Sequence, residues 1–189
     1  MNWLMSRIAR ILGKPDSRLS GFILSYGLSR PYSHLKHGDG SPYMRRFWLM
    51  PRWLLGEDEK GFPFPHKWVP ILIRLHHIQS EDWDRDYHDH PSWYRTIIKT
   101  GWYKEKDIYG NIHLRQQGET KTATADTFHR ITEISEGGVW TIFIMGRKTN
   151  EWGFLVAIDG IIRKIPWRKY QSKNTRKPEI SDISSGDQP

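Results

Sequence analysis

The feature that most constrains this fold is a succession of short strand-like runs in the second part of the chain. Val, Ile, Thr and aromatic residues fill these runs, and Gly, Asn, Asp or Pro separates them, as in strands and turns. Turns at intervals of about 8 to 12 residues predict an all-β sandwich or a small barrel. The runs occupy residues 69–78, 93–106, 112–117, 120–125, 128–134, 139–145, 152–158 and 161–165.

The sequence before these runs has a different character. Apolar residues at helical spacing predict one helix within 1–12 and a second over 19–28. Frequent Gly and Pro predict loop or extended structure over 33–67, within which 43–49 fits either a short edge strand or a helical turn. The predicted organisation is a partly helical extension over 1–68 packed on the barrel, the barrel over 69–171, and a disordered polar and basic tail over 172–189.

A pair of histidines, His88 and His90, follows the first strand-like run. Side chains at i and i+2 of a strand share a face, so the two imidazoles would form half of a metal site, with Asp89 turned away in a turn-forming or supporting role. A third histidine, His129, lies at a similar junction of loop and strand. The chain has no Cys, so a metal site must use His, carboxylate or water. With nine histidines in the chain, ordinary hydrogen-bonding roles are the alternative.

The order of these motifs resembles the cupin superfamily, in which a His-x-His pair, a later Gly (here Gly101) and a lone His line one barrel. The segments 101–105, 128–130, 140–147 and 151–154 also resemble small uncharacterised cupin-like proteins of phages and bacteria that carry a His-Asp-His-Pro motif. The resemblance covers residues 70–170. It implies an all-β, cupin-like double-stranded β-helix (a jelly-roll barrel) that holds one divalent metal ion through His88, His90 and His129.

One departure from the cupin pattern concerns the usual glutamate ligand. The positions three and four residues after His90 hold Tyr94 and Arg95, so the resemblance implies three neutral imidazoles, as in the thiol dioxygenase branch of the superfamily. Such a site suits Fe(II), Zn(II), Ni(II) or Mn(II). By strand parity Asp86 could be a fourth ligand, whereas Glu105 has the wrong parity unless a bulge intervenes.

Other side chains could surround the site or the substrate. His77 is predicted to be buried on the inward face, with Arg74 and His76 on the other face. Arg147 would either bind a substrate carboxylate or phosphate, or pair with Glu151 at a turn. The candidates for a supporting or substrate-pocket role are His77, Asp86, Tyr94, Arg130, Arg147 and Trp152.

These observations predict a metal-binding protein, either a mononuclear enzyme of the Fe(II) dioxygenase type acting on an unidentified small molecule, or a non-catalytic binder of a small molecule or partner. The net charge of +8 and the basic segment 163–177 add nucleic-acid binding as a third hypothesis, with Trp167 and Tyr170 stacking on bases. The sequence has no run apolar enough for a transmembrane helix, and the absence of Cys fits the cytoplasm, or the host cytoplasm of a phage. A homo-oligomer is left open.

Overall fold

The computed structural model describes residues 18–37, 39–59, 61, 63–82, 86–158 and 160–173. The helix predicted within residues 1–12 lies outside this range, as does the predicted disorder from residue 174 onward. The boundaries predicted for the extension, barrel and tail therefore stay predictions. Neither α-helix of the described residues is long and apolar enough to cross a bilayer.

The described residues form fourteen strands, two α-helices and one short 3-10 helix. The elements are α1 (Arg18–Leu28), β1 (Pro31–Lys36), β2 (Pro42–Trp48), the 3-10 helix (Arg52–Leu54), β3 (Leu55–Glu57), β4 (Pro63–Pro65), β5 (Ile71–Ile78), β6 (Tyr87–His88), β7 (Tyr94–Thr100), β8 (Trp102–Asp107), β9 (Ile112–Gln116), β10 (Thr120–Ala123), β11 (His129–Ile134), β12 (Val139–Gly146), β13 (Gly153–Ile158), β14 (Ile161–Pro166) and α2 (Trp167–Lys173). Every predicted run coincides with a strand or, for 93–106, with two.

The strand order defines a jelly roll. One six-stranded sheet, called here the first sheet, has the order β1-β2-β5-β12-β7-β10, and the second sheet has the order β14-β13-β6-β11-β8-β9. The eight consecutive strands β5 to β12 are divided between the sheets as β5-β12-β7-β10 and β6-β11-β8-β9, which is the pattern of two interlocked Greek keys. The predicted all-β jelly-roll fold is confirmed.

The chain passes from the first sheet to the second at Gly101, and here the sequence prediction of one continuous strand over 93–106 is wrong. Gly101 has a φ of 77°, a left-handed conformation that ends β7 and starts β8. A Cβ at this position would lie 2.7 Å from the carbonyl oxygen of Gly138. The apolar pattern continues through the corner, so the sequence alone did not reveal it.

The N-terminal part contributes strands to the barrel. Helix α1 lies where the second helix was predicted, and β1 and β2 extend the first sheet beyond β5. The segment 43–49, which fitted a strand or a helical turn, lies largely in β2, and β1 covers its outer edge. Burial of Tyr32, Phe47 and Trp48 anchors both strands.

Both faces of the first sheet are covered. Its inner face points to the second sheet and carries a core cluster that includes Trp48, Leu72, Tyr94, Phe143 and Met145. Its outer face carries Phe47, Leu75, Ile97 and Ile142, which pack against Ile23 and Leu24 of α1. Strands buried on both faces carry apolar residues on both sides, so the alternation that would mark the inner face is weak.

Candidate metal centre

Three histidines meet between the two sheets. His88 ends β6, His90 lies two residues beyond it, and His129 begins β11 as the cross-strand partner of His88. One ring nitrogen of each lies within 4.8 Å of the other two, and the Nε2 atoms of His90 and His129 are 3.0 Å apart. Within the described residues, no other group of three His, Asp or Glu side chains is as close.

The chemistry of this cluster fits a transition metal. Nitrogens held at about 2.1 Å from one ion lie roughly 3 to 3.4 Å apart, which matches the His90–His129 separation. Burial lowers the pKa of His129 from 6.5 to about 4, although its hydrogen bond to Glu105 acts in the opposite direction. Burial and the neighbouring imidazoles also hold the pKa of His90 well below 6.5. Both rings are neutral at pH 7, as metal ligands must be.

A buried carboxylate lies behind His129. Glu105 is 1% exposed, and its Oε2 accepts hydrogen bonds from His129 Nδ1 at 3.0 Å and Lys121 Nζ at 2.7 Å, while Oε1 accepts one from Arg115 Nε at 2.7 Å. Burial raises the pKa of Glu105, but its partners His129 and Lys121 outweigh burial and hold the pKa well below its ordinary value. An ionised carboxylate only accepts, so Nδ1 of His129 carries the proton and Nε2 presents a lone pair to the site.

The alternation of side chains along one continuous strand predicted that Glu105 points away from the site. The structure shows why this prediction was wrong. The turn at Gly101 restarts the alternation in β8, and the pairing of β8 with β11 shifts register between Ile131 and Glu133. Glu105 consequently faces inward and supports His129 through its Nδ1 atom. The sequence carried no signal of either irregularity beyond the Gly itself.

A second carboxylate lies behind His88. The Oδ2 atom of Asp82 is 3.6 Å from His88 Nδ1 and accepts a hydrogen bond of 2.7 Å from the backbone N–H of Ile131. The hydroxyl of Tyr43 also bonds to Asp82. Asp82 lies in the acidic loop before β6 and was not predicted to belong to the site. With Nδ1 facing Asp82, the Nε2 atom of His88 is the one available to a metal.

Tyr94 contacts two of the three histidines. Its ring centre lies 4.2 Å from that of His90, and its hydroxyl lies 3.4 Å from His129 Nε2. Burial raises the pKa of Tyr94 well above 10, so the phenol keeps its proton and can donate a hydrogen bond. This residue, a sequence candidate for a supporting role, is adjacent to the cluster.

Asp89 holds the histidine segment in place. It is fully buried, and its carboxylate accepts hydrogen bonds from the backbone N–H of Gly153 at 2.8 Å, from Asn150 Nδ2 at 3.3 Å and from Lys164 Nζ. The residue between the two histidines thus ties their loop to β13 and β14. This arrangement keeps His90 next to His129 although β6 ends at His88.

The remaining sequence candidates lie at different distances from the cluster. The ring of Trp152 is edge-on to His88 with centres 6.4 Å apart. Asp86 accepts a hydrogen bond of 3.1 Å from the hydroxyl of Tyr170 and is not among the clustered side chains. Arg130 follows His129 on β11, so its side chain leaves the opposite face of the strand.

Arg147 bonds to two backbone carbonyl groups. Its Nε donates to the backbone carbonyl oxygen of Val69 at 2.7 Å, and its terminal nitrogen donates to that of His66. The guanidinium therefore fixes the segment that leads into β5. This structural role replaces the predicted pair with Glu151, and the predicted contact of Arg147 with a substrate stays a prediction.

The two adjacent histidines of β5 face the opposite way from the prediction. His77 lies on the outer face, where its ring stacks on Trp140 at 4.2 Å and its Nε2 is 3.0 Å from the carbonyl oxygen of Gly137. His76 is the buried inward residue and stacks on Phe143 at 4.9 Å. The prediction counted the apolar partners of His77 as interior, but these residues pack under α1.

The aromatic residues of the basic C-terminal segment are packed against the barrel. Tyr170 is buried and stacks on Phe154 with ring centres 4.0 Å apart, and Trp167 stacks on Trp152 at 5.4 Å. Base stacking needs an accessible ring face. The ring of Tyr170 is therefore not available for stacking on a base, whereas Trp167 is half-buried and nucleic-acid binding by the basic segment stays a prediction.

No family model and no curated protein matches the sequence. Solved structures do resemble the fold. A cupin 2 conserved barrel domain protein from Rhodopseudomonas palustris aligns over 68% of this chain and 77% of its own, with 12% identity and a TM-score of 0.45. An RmlC-like cupin protein from Ralstonia eutropha aligns over 74% of this chain and 77% of its own, with 14% identity and a TM-score of 0.42.

The DMSP lyase DddQ from Ruegeria pomeroyi is similar over 62% of this chain, with 12% identity and a TM-score of 0.42. The chain spans about half of the length of that lyase, 53% of which is aligned. The jelly roll itself is defined by the strand order, and the similarities describe the barrel alone.

Proposed function

We propose that this protein binds one divalent transition-metal ion through His88, His90 and His129. The observation that carries the proposal is the convergence of three ring nitrogens within 4.8 Å, with Glu105 directing the lone pair of His129 toward the other two rings. Three protein ligands leave coordination positions for water or a small molecule. Imidazole ligands suit Fe(II), Zn(II), Ni(II) and Mn(II).

We further propose that the centre acts on a small molecule, as a mononuclear metal enzyme of the Fe(II) dioxygenase type. A bound ion would supply Lewis acidity or a site for O₂. The chain itself positions its ligands through Glu105 and Asp82, and it shields the site with the rings of Tyr94 and Phe143. The Tyr94 hydroxyl can donate a hydrogen bond to a molecule held beside His129.

Elemental analysis of protein purified without a His tag tests metal binding. We expect about one ion per chain in the wild type and a loss of most of it in a His88→Ala/His129→Ala double variant. His113→Ala is the matched control, because His113 lies on β9 and bonds to Asp107 rather than to the cluster. Equal metal content in the wild type and the double variant would refute the site.

Oxygen uptake tests the catalytic role. Iron-loaded protein is offered candidate thiols and oxo-acids, and we expect uptake that the double variant lacks and that Tyr94→Phe reduces without loss of metal. Metal content without any turnover would instead support the alternative, a non-catalytic cupin-like protein that binds a small molecule or a partner.

A further inference from the structure

Two guanidinium groups lie on the inner face of the first sheet. Arg46 is the cross-strand partner of His76, and Arg74 is the partner of Trp48, so all four side chains share one face. The guanidinium carbon of Arg74 lies 4.8 Å from the ring centre of Trp48 and 5.4 Å from that of Tyr32. The corresponding carbon of Arg46 lies 4.7 Å from Tyr32. Two cations therefore flank one phenol ring inside the barrel.

Several polar atoms of this cluster are buried without a hydrogen-bond partner. They are Nε of Arg74, Nε2 of His76 and the hydroxyl of Tyr32. Among the described residues, no carboxylate forms an ion pair with Arg74, and the buried Glu105 is already bonded to Lys121 and Arg115. Each buried polar group left unpaired costs about 1 to 3 kcal/mol, so three at one place need an explanation.

The electrostatic environment of the cluster favours an anion. Burial lowers the pKa of His76 well below 6.5, and Arg74 and Arg46 lower it further. Burial lowers the pKa of Arg46 as well, and Arg74 acts in the same direction. The charged forms of His76 and Arg46 are thus disfavoured by burial and by the neighbouring guanidinium of Arg74, and a bound negative charge would favour both.

The cluster adjoins the metal centre through Phe143. This ring stacks on His76 with centres 4.9 Å apart, and it lies 5.6 Å from His90 and 5.1 Å from Tyr94. Phe143 is also the cross-strand partner of Arg74. The guanidinium groups and the three histidines therefore face one interior, separated by a single aromatic side chain.

We propose that Arg74 and His76, with Arg46 and the Tyr32 hydroxyl, bind the oxyanion group of a small molecule whose other end reaches the metal centre. The planar donors of Arg suit a carboxylate or a phosphate. The substrate class is then a small anionic molecule. The reach to the metal rests on the proposed function, whereas the anion site itself stands on the cluster alone.

Binding of inorganic phosphate and of acetate to EDTA-treated protein tests the anion site. Calorimetry at constant ionic strength, with chloride as the reference anion, measures the affinity of each. We expect binding of at least one of the two, and a loss of at least about tenfold in affinity in Arg74→Met. Arg163→Met is the control: it removes an exposed cation that lies on β14, and this variant should bind the anions as the wild type does. Wild-type protein that binds neither anion better than chloride overturns the proposal.

Thermal stability separates a binding role from a structural one. Met replaces the length of Arg74 without its desolvated charge, so the variant should unfold at the same or a higher temperature than the wild type. A lowered unfolding temperature with anion affinity retained would overturn the proposal. His76→Gln and Arg74→Lys provide second variants, each expected to weaken anion binding, if Arg74→Met does not fold.

The metal and anion proposals fail independently. Arg74→Met should contain as much metal as the wild type, and the His88→Ala/His129→Ala variant should still bind the anion. A wild-type protein that binds the anion but no metal would refute the metal centre and leave the anion site standing. A wild-type protein that binds metal but no anion would refute the substrate class.

Discussion

Replacement of Glu105 by Gln should destabilise the protein strongly. Glu105 is 1% exposed and accepts three charge-assisted hydrogen bonds, from His129, Lys121 and Arg115. The amide would turn a donor toward one of these donors and leave two cations without a counter-charge. Removing one partner of a buried ionic pair costs about 3 to 5 kcal/mol, and we expect a loss of that size in the free energy of unfolding.

Glu133→Gln is the matched control for this substitution. Glu133 lies on the adjacent strand β11 and pairs with Lys104 at 2.8 Å, but its side chain is 54% exposed. Exposed ion pairs contribute about 0 to 1 kcal/mol. Urea unfolding of both variants after EDTA treatment gives the comparison. A loss below about 1 kcal/mol for Glu105→Gln, equal to the control, would refute the role of the buried carboxylate.

The same variant should weaken metal binding for a second reason. Without the ionised acceptor, His129 is no longer held with its proton on Nδ1, so part of the population presents an N–H to the site instead of a lone pair. Loss of such a supporting contact lowers metal affinity by about 10 to 100-fold. Competition with a chelator measures the affinity, and the ¹⁵N shifts of the His129 ring report the tautomer. An unchanged tautomer would contradict this account.

Three further predictions concern the barrel. Metal-free protein should lose about 2 kcal/mol of stability between about pH 7 and pH 5, since the pKa of His129 is about 4 in the folded protein and the unfolded chain takes up protons first. The lowered pKa of His90 adds to this loss. Urea titrations at both pH values measure the stability, and a rise on acidification would contradict the prediction. Gly101→Ala should cost at least about 2 kcal/mol, against about 1 kcal/mol for Gly118→Ala, because both glycines have positive φ but only Gly101 lies against other atoms. Arg147→Met should lower the free energy of unfolding by about 2 kcal/mol and leave anion binding unchanged, as expected for a side chain that binds only backbone carbonyls.

The barrel could be predicted from sequence because most of its strands are recognisable from their own residues. β-branched and aromatic runs with Gly-containing turns mark β7 to β14 without reference to the rest of the chain. Strand β6 could not be found in this way, because Tyr87 and His88 are too short a run to show a pattern. Strand β1 was hidden by the Gly and Pro residues around it, and β2 appeared only as one of two alternatives for 43–49.

Which side chains of a strand point into the barrel was harder to predict than where the strand lies in the sequence. His76 and His77 are adjacent in a strand that is buried on both sides, so apolar neighbours did not tell which side is the interior. Glu105 was predicted on the wrong face because the turn at Gly101 interrupts the alternation of side chains between β7 and β8. The three clustered histidines were accessible to sequence reasoning since their residue type and spacing are themselves the signal, whereas the supporting carboxylates depend on register.

The brevity of β6 gives the metal centre a second consequence. In the second sheet, the hairpin of β13 and β14 reaches β11 only by way of β6, where His88 pairs with His129 on one side and with Phe154 on the other. A hairpin held by so few backbone bonds can open before the rest of the barrel does. An ion bound by both His88 and His129, as proposed, would link β6 to β11. At about a thousandfold excess over its dissociation constant, such an ion would add roughly 4 kcal/mol to the opening free energy. Hydrogen exchange in the C-terminal hairpin would then report how much of the protein carries metal.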